Sequence, residues 1–189
     1  MKVGLFFGSF NPIHIGHLII ANYMLEFTEI DEVWFVVSPQ NPFKIHDHLE
    51  DSKHRLKMVQ LALDGHPSLK AMDVEFNLPK PSFTINTLHY LKDQSPENDF
   101  ILIMGSDNLA QLPKWKGFDE IINNYNLFVY HREGSDNQEL KARENVRVFD
   151  APVLDISATF IRDVLHAGKS IKYLVPNKVE EYIHSNKLY

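Results

Sequence analysis

Residues Gly8 to His17 read Gly-Ser-Phe-Asn-Pro-Ile-His-Ile-Gly-His, the densest stretch of chemistry in the chain. The apolar run Val3–Phe7 leads into it and a helix-like run, Leu18–Phe27, follows. That pattern predicts a strand end, a Gly/Pro turn and a helix start. A helix start presents unpaired backbone N–H groups and the positive end of the macrodipole, which suits a phosphate. His14 and His17 lie three residues apart and share one face of a helical turn. Imidazoles placed there can donate hydrogen bonds to phosphoryl oxygens. Gly16 between them leaves the backbone open to close approach. The same pair is also what surface or capping histidines look like. Metal binding by these side chains is disfavoured, because no Asp or Glu is placed to complete a zinc site and the chain has no cysteine.

Further groups repeat the theme. In Ile156-Ser157-Ala158-Thr159-Phe160-Ile161-Arg162, Ser157 is a good N-cap, Thr159 falls in the first turn and Arg162 in the next. This makes either a second anion site or a capped amphipathic helix with an exposed Arg. Pro39-Gln40-Asn41-Pro42-Phe43-Lys44 is a Pro-rich turn whose lysine can lie over a phosphate or in solvent. Gly105-Ser106-Asp107 follows the apolar run Phe100–Met104, and an Asp just past a strand end can accept from ribose hydroxyls. Trp115, between Lys114 and Lys116, is a core residue or a stacking platform for a planar ring. Ser82-Phe83-Thr84 opens another helix.

These groups need a scaffold, and the periodicity supplies one. Val3–Phe7, Val33–Val37, Phe100–Met104 and Leu127–Tyr130 read as strands, with Val146–Phe149 a weaker one. Helices are expected over Leu18–Phe27, around Leu56–Leu63 with Asp51 or Ser52 as cap and Gly65 as stop, over Thr84–Leu91, over Ser157–His166, and from a first-turn Pro176 through His184. Arg132–Arg143 reads as a surface loop or short helix and Pro39–Glu50 as a loop. Alternation of strand and helix predicts an α/β fold with a doubly wound parallel sheet, Rossmann-like, in which ligands bind beyond the carboxyl ends of the strands. Both polar turns, after Phe7 and after Met104, fall at that edge.

Length and composition bound the rest. The 189 residues suit one domain, 1–189, with a helical C-terminal segment from about 157. Apolar and charged contents of 44% and 23% are ordinary for a soluble protein. A net charge of -6 speaks against a nucleic-acid partner without excluding a nucleotide site. No apolar stretch reaches the ~20 residues of a membrane span, and no signal-peptide pattern opens the chain, so a cytoplasmic protein with no membrane partner is expected.

Taken together, the motifs resemble those of the His-x-Gly-His nucleotidyltransferases, and among them the bacterial nicotinate-nucleotide adenylyltransferases. The likeness runs from Val3 to Tyr182. Gly8–His17 matches the first family motif and Ile156–Arg162 the second; Pro81–Leu88 and Gly105-Ser106-Asp107 with Trp115 look like the pyridine-nucleotide branch. The resemblance implies transfer of AMP from ATP to nicotinate mononucleotide, giving deamido-NAD and pyrophosphate, with Mg2+ required. It implies that His14, His17, Lys44 and Arg162 hold the triphosphate and stabilise charge as it shifts. ATP would also meet Gly8, Ser9, Phe10, Gly16, Asp107, Ile156, Ser157 and Thr159. Nicotinate mononucleotide would meet Ser9, Lys44, Phe83, Thr84, Thr87, Trp115 and Arg132, with Trp115 stacked on the pyridine and the backbone at Phe83 and Thr84 receiving its carboxylate. Arg55 is a further candidate phosphate or substrate contact, and an oligomer is allowed. Three residues depart from the family pattern: Phe7 for a usual Gly, Phe43 for a frequent His and Ala158 for a usual Ser. Phe7 must therefore turn its side chain away from the phosphates.

The rivals are a pantetheine-phosphate adenylyltransferase, which usually has Thr at the position of His14, and a nicotinamide-mononucleotide adenylyltransferase. A class I aminoacyl-tRNA synthetase fragment would share the His-Ile-Gly-His string, but this chain is short, acidic and lacks a Lys-Met-Ser-Lys-Ser loop. A non-catalytic nucleotide-binding module on the same fold is the alternative from another class.

Overall fold

A computed structural model describes residues 1–40, 49–132 and 137–189. Strands β1 (Lys2–Gly8), β2 (Glu32–Val37), β3 (Leu69–Met72), β4 (Asp99–Gly105), β5 (Asn126–Tyr130) and β6 (Val146–Phe149) form one sheet in the order β3-β2-β1-β4-β5-β6. Every neighbouring pair is parallel, with Phe6 opposite both Phe35 and Ile103. Strand order reverses between β1 and β4, and in such a sheet the crevice for a ligand opens there, beyond the carboxyl ends.

Side chains alternate with a period of two and so serve two cores. Phe6, Val33, Phe35, Ile101, Ile103 and Phe128 pack on one face against α1 (Ile15–Phe27), α2 (Ser52–Leu63), α7 (Ala158–His166) and α8 (Asn177–Asn186). Val3, Leu5, Trp34, Val36, Leu102 and Val129 pack on the other face against α3 (Thr84–Gln94), α4 (Ser106–Gln111), α5 (Phe118–Asn124) and α6 (Gln138–Lys141). Both faces of the sheet are covered, which is why its strands read as unbroken apolar runs.

Local signals account for most boundaries. Asp51 caps α2 by accepting from the Lys53 N–H at 2.7 Å, and Ser157 caps α7 by accepting from the Phe160 N–H at 3.1 Å. Each such cap is worth about 1 kcal/mol. Gly65 and Gly168 follow their helices with φ of 84° and 65°. Helix α1 begins at Ile15, earlier than the apolar periodicity suggested, so His14 is its N-cap. Pro176 precedes α8 as N-cap and does not occupy its first turn. The short strand β3 and helices α4 and α5 carry no signal strong enough to be expected from sequence. Among the described residues no helix is long and apolar enough to cross a membrane.

Candidate active site

The carboxyl ends of β1 and β4 open onto two adjoining cavities. The larger, about 380 Å3, is lined by the Gly8–His17 turn, the starts of α4 and α7, and the end of β5. The smaller, about 240 Å3, lies between the end of β2, the Val74–Asn77 turn, the start of α3 and Trp115. Phe7, Gly8, Asn108 and Trp115 line both, so the cavities share a wall.

The larger cavity gathers the first and second motifs. His14 is buried at the N-cap of α1, and its ring lies on that of His17, centroids 3.7 Å apart. The His14 N–H donates to His17 Nδ1 at 3.2 Å. Nδ1 is thereby an acceptor, and the neutral ring carries its hydrogen on Nε2. Phe10, with φ of 46°, is buried edge-on against His17 at 5.1 Å and holds that ring in place. Its side chain belongs to the core, and only its place in the turn brings it to the cavity wall. A Cβ on Gly8 would strike the Phe10 ring at 2.7 Å. A Cβ on Gly16 would meet His14 Nδ1 at 3.0 Å, so this glycine leaves room for the imidazole as well as for a ligand. One helix-start donor is not available to a phosphate, since the Ile15 N–H is bonded to the Leu174 carbonyl at 3.0 Å.

Arg162 reaches the same cavity. Its Nη1 donates to the Asn11 carbonyl at 2.8 Å and its Nη2 to Thr159 Oγ1 at 3.3 Å. Ser157, Ala158 and Thr159 line the cavity beside it. Asp107 contributes one carboxylate oxygen to Arg132 Nη1 at 3.4 Å, while its buried Oδ1 has no hydrogen-bond partner among the described residues. Ser106 explains how Arg132 is held: its hydroxyl donates to the Arg132 carbonyl at 2.9 Å and accepts from the Arg132 N–H at 3.0 Å. Burial, helped by the Arg132 charge, lowers the His14 pKa from 6.5 to about 4. A side pocket of about 50 Å3, lined by Gly16, His17, Arg132 and Ile156, extends the larger cavity between α1 and β5.

The smaller cavity has a different character. Phe83 is the N-cap of α3 but supplies no capping hydrogen bond, so the helix start at Thr84 opens on the cavity uncapped by a side chain. Trp115 and Phe83 give aromatic walls, and Lys116 Nζ lies 4.7 Å from the Phe83 ring centroid. The residue that sequence reasoning missed is Glu75. It is 2% exposed and lines this cavity, with Oε1 accepting from the Thr87 hydroxyl at 2.8 Å and Oε2 without a hydrogen-bond partner among the described residues. Burial pushes its carboxyl above the usual range against the pull of the Thr87, Ser38 and Ser82 hydroxyls. Nothing in the sequence around it marks it as buried.

Several expected contacts move. Thr87 lies 1% exposed inside α3 with its hydroxyl spent on Glu75, so it supports the smaller cavity from behind and does not line it. Ser9 and Arg132 line the larger cavity and not the smaller, because the turn after β1 and the end of β5 both face the histidines. Arg55 lines neither cavity. It is 1% exposed, and its guanidinium donates to the carbonyls of Ser9, Ser38, Pro39 and Glu50 at 2.5–3.1 Å, stapling the ends of β1 and β2 to the start of α2. Phe7 packs against the core on the sheet face opposite Phe6 and lines both cavities as part of the shared wall. Lys44 and Phe43 lie outside the described residues. Among the described residues no group of three or more His, Asp and Glu is placed to hold a metal ion.

With this geometry in place, the chain can be compared with known proteins. The cytidylyltransferase-like family model matches residues 5–164. The chain belongs to that family. Family members named as probable nicotinate-nucleotide adenylyltransferases include those of Cytophaga hutchinsonii, 53% identical over all of this chain and 98% of its own length, and Flavobacterium johnsoniae, 48% identical over 100% and 99%. The fold matches a solved structure of Plasmodium falciparum nicotinic acid mononucleotide adenylyltransferase complexed with NaAD, at a TM-score of 0.84, 19% identity and coverage of 100% and 97%.

Proposed function

We propose that this protein transfers AMP from ATP to nicotinate mononucleotide, releasing pyrophosphate and forming deamido-NAD. The observation that carries the reading is the shared wall: a cavity built of His14, His17 and Arg162 adjoins an aromatic one at the start of α3. One suits a triphosphate and the other a pyridine ring bearing an anion. Relatives bearing that activity in their names, 48–53% identical over the full chain, support it.

In the reaction, a phosphate oxygen of nicotinate mononucleotide attacks the α-phosphorus of ATP. A new P–O bond forms, the bond from the α-phosphorus to the β-bridging oxygen breaks, and pyrophosphate leaves with the electron pair. The attacking phosphate is already ionised near pH 7, so no general base is required. The protein's work is to align two anions and to stabilise charge on the transferring and leaving groups. We assign His17 Nε2–H and the neutral His14 imidazole to the triphosphate as donors. Arg162 and the start of α7 take the departing phosphates, with Lys44 joining them from the segment after Gln40. Asp107 meets the nucleotide ribose, and Gly16 and Ile156 are further contacts of ATP. Trp115 stacks on the pyridine while backbone N–H groups at the start of α3 receive its carboxylate. Mg2+ would accompany ATP as part of that substrate and would offset phosphate charge. A cytoplasmic location is part of the same proposal.

The test is pyrophosphate release with MgATP and, in turn, nicotinate mononucleotide, nicotinamide mononucleotide and phosphopantetheine. Release is expected to be fastest with the nicotinate compound. Preference for phosphopantetheine would overturn the acceptor assignment, and no release with any acceptor would leave a nucleotide-binding module.

A further inference from the structure

We propose that Tyr189 is a positioning residue for this reaction: through Asn11 it fixes Arg162 against the triphosphate half of the site. The inference rests on the function proposed above and deepens it.

The path begins at the end of α8. Lys187 adopts a left-handed conformation, φ 53°, and the Leu188 N–H returns to the Ile183 carbonyl at 3.1 Å. This reversal buries Leu188 and turns Tyr189 back toward the Gly8–His17 turn. There the Tyr189 hydroxyl donates to Asn11 Oδ1 at 2.8 Å, a contact 178 residues apart in sequence. The Glu50 N–H donates to the same oxygen at 3.1 Å. A carbonyl oxygen offers two lone pairs, so both are used and the Asn11 side chain is pinned. Asn11 is 3% exposed and follows Phe10, whose φ is 46°. Its backbone carbonyl holds Arg162 Nη1 at 2.8 Å. Tyr189 itself is not among the residues lining the larger cavity, whereas Asn11 and Arg162 are. The phenol lies near Glu50, Arg55 and Arg162, and burial holds its pKa well above the ordinary value, so it stays a donor.

A second tyrosine supplies the control. Tyr182, within α8 itself, bonds His54 Nδ1 at 2.8 Å and fastens α8 to α2, but His54 lines neither cavity. Each hydroxyl therefore anchors the same helix, and only one leads to the site.

The experiment compares wild type, Tyr189→Phe and Tyr182→Phe. Steady-state constants are measured for MgATP and nicotinate mononucleotide, the Kd of a non-hydrolysable ATP analogue by calorimetry, and thermal unfolding for each protein. Losing one neutral hydrogen bond should lower kcat/KM for MgATP in Tyr189→Phe by about 3- to 10-fold and raise the analogue Kd similarly. Its KM for nicotinate mononucleotide should stay near wild type. Tyr182→Phe should lose stability only. Unchanged nucleotide kinetics and analogue binding in Tyr189→Phe, or an equal loss in Tyr182→Phe, would show that Tyr189 merely anchors α8. Analogue binding is read without turnover, so a wild type that binds the analogue but forms no product counts against the proposed activity and still decides the role of Tyr189.

Discussion

At the scale of the residue, His14 decides how charge is distributed in the site. Burial and Arg132 bring its pKa from 6.5 to about 4, so near neutral pH the imidazole is uncharged and the nearby positive charge rests on Arg132 and Arg162. The same shift is a statement about stability. Between pH 6.5 and 4 the unfolded chain takes up a proton on His14 that the folded chain refuses. The contribution is therefore fully present above about 6.5 and is lost as pH falls through that window toward 4. Urea unfolding of wild type and His14→Gln should give ΔG curves that converge or cross on acidification, the difference changing by up to about 3 kcal/mol. Parallel curves from pH 7 to 4 would show that His14 titrates as an ordinary surface histidine. The His-x-Gly-His spacing made this pair legible in the sequence, but not its burial, which comes from Phe10 and Ile13 packing into the core below it. The burial of Arg55 is hidden from the sequence for the same reason. A basic residue on a polar helix gives no sign that four backbone carbonyls will enclose it.

At the scale of the element, α1 sets helix stability against the shape of the site. Gly16 lies in its first turn, where alanine would be a better helix former by up to about 1 kcal/mol. Yet the added Cβ would press on His14 at 3.0–3.1 Å, forcing the ring to tilt off His17. Gly16→Ala should keep the melting temperature within a few degrees of wild type while raising KM for MgATP about tenfold, an effect of about 1.4 kcal/mol at the site alone. Wild-type KM in a folded Gly16→Ala protein would show that the His14 ring is free to move without cost. Most of the scaffold was legible at this scale, because strands covered on both faces give unbroken apolar runs and Asp51 and Ser157 cap where a cap is expected. Strand β3 was not, since Leu69-Lys70-Ala71-Met72 is a four-residue edge strand whose middle holds a lysine paired with Glu32. Helix α4 was hidden too, being only six residues after a motif that reads as a turn.

At the scale of the whole molecule, the larger cavity draws on parts that only the complete fold brings together. Gly8 comes from the end of β1, His17 from the first turn of α1, Asp107 from α4 after β4, Arg132 from beyond β5, and Arg162 from α7. The sheet halves β3-β2-β1 and β4-β5-β6 meet at the β1–β4 pairing, directly below that cavity. A nucleotide held by both halves binds the folded chain and not the unfolded one, so it must stabilise the fold by mass action. With MgATP at a hundred times its Kd the gain is about 2.7 kcal/mol, which for a chain of this length is a rise in melting temperature of about 5–10 °C. Because groups from both halves and from α7 share the ligand, the whole unfolding curve should move as one transition. Scanning calorimetry with and without MgATP reads this directly. A component that melts at the same temperature in both scans would mean that part of the sheet unfolds independently of the site, and the residues of the cavity would then belong to a smaller cooperative unit than the chain.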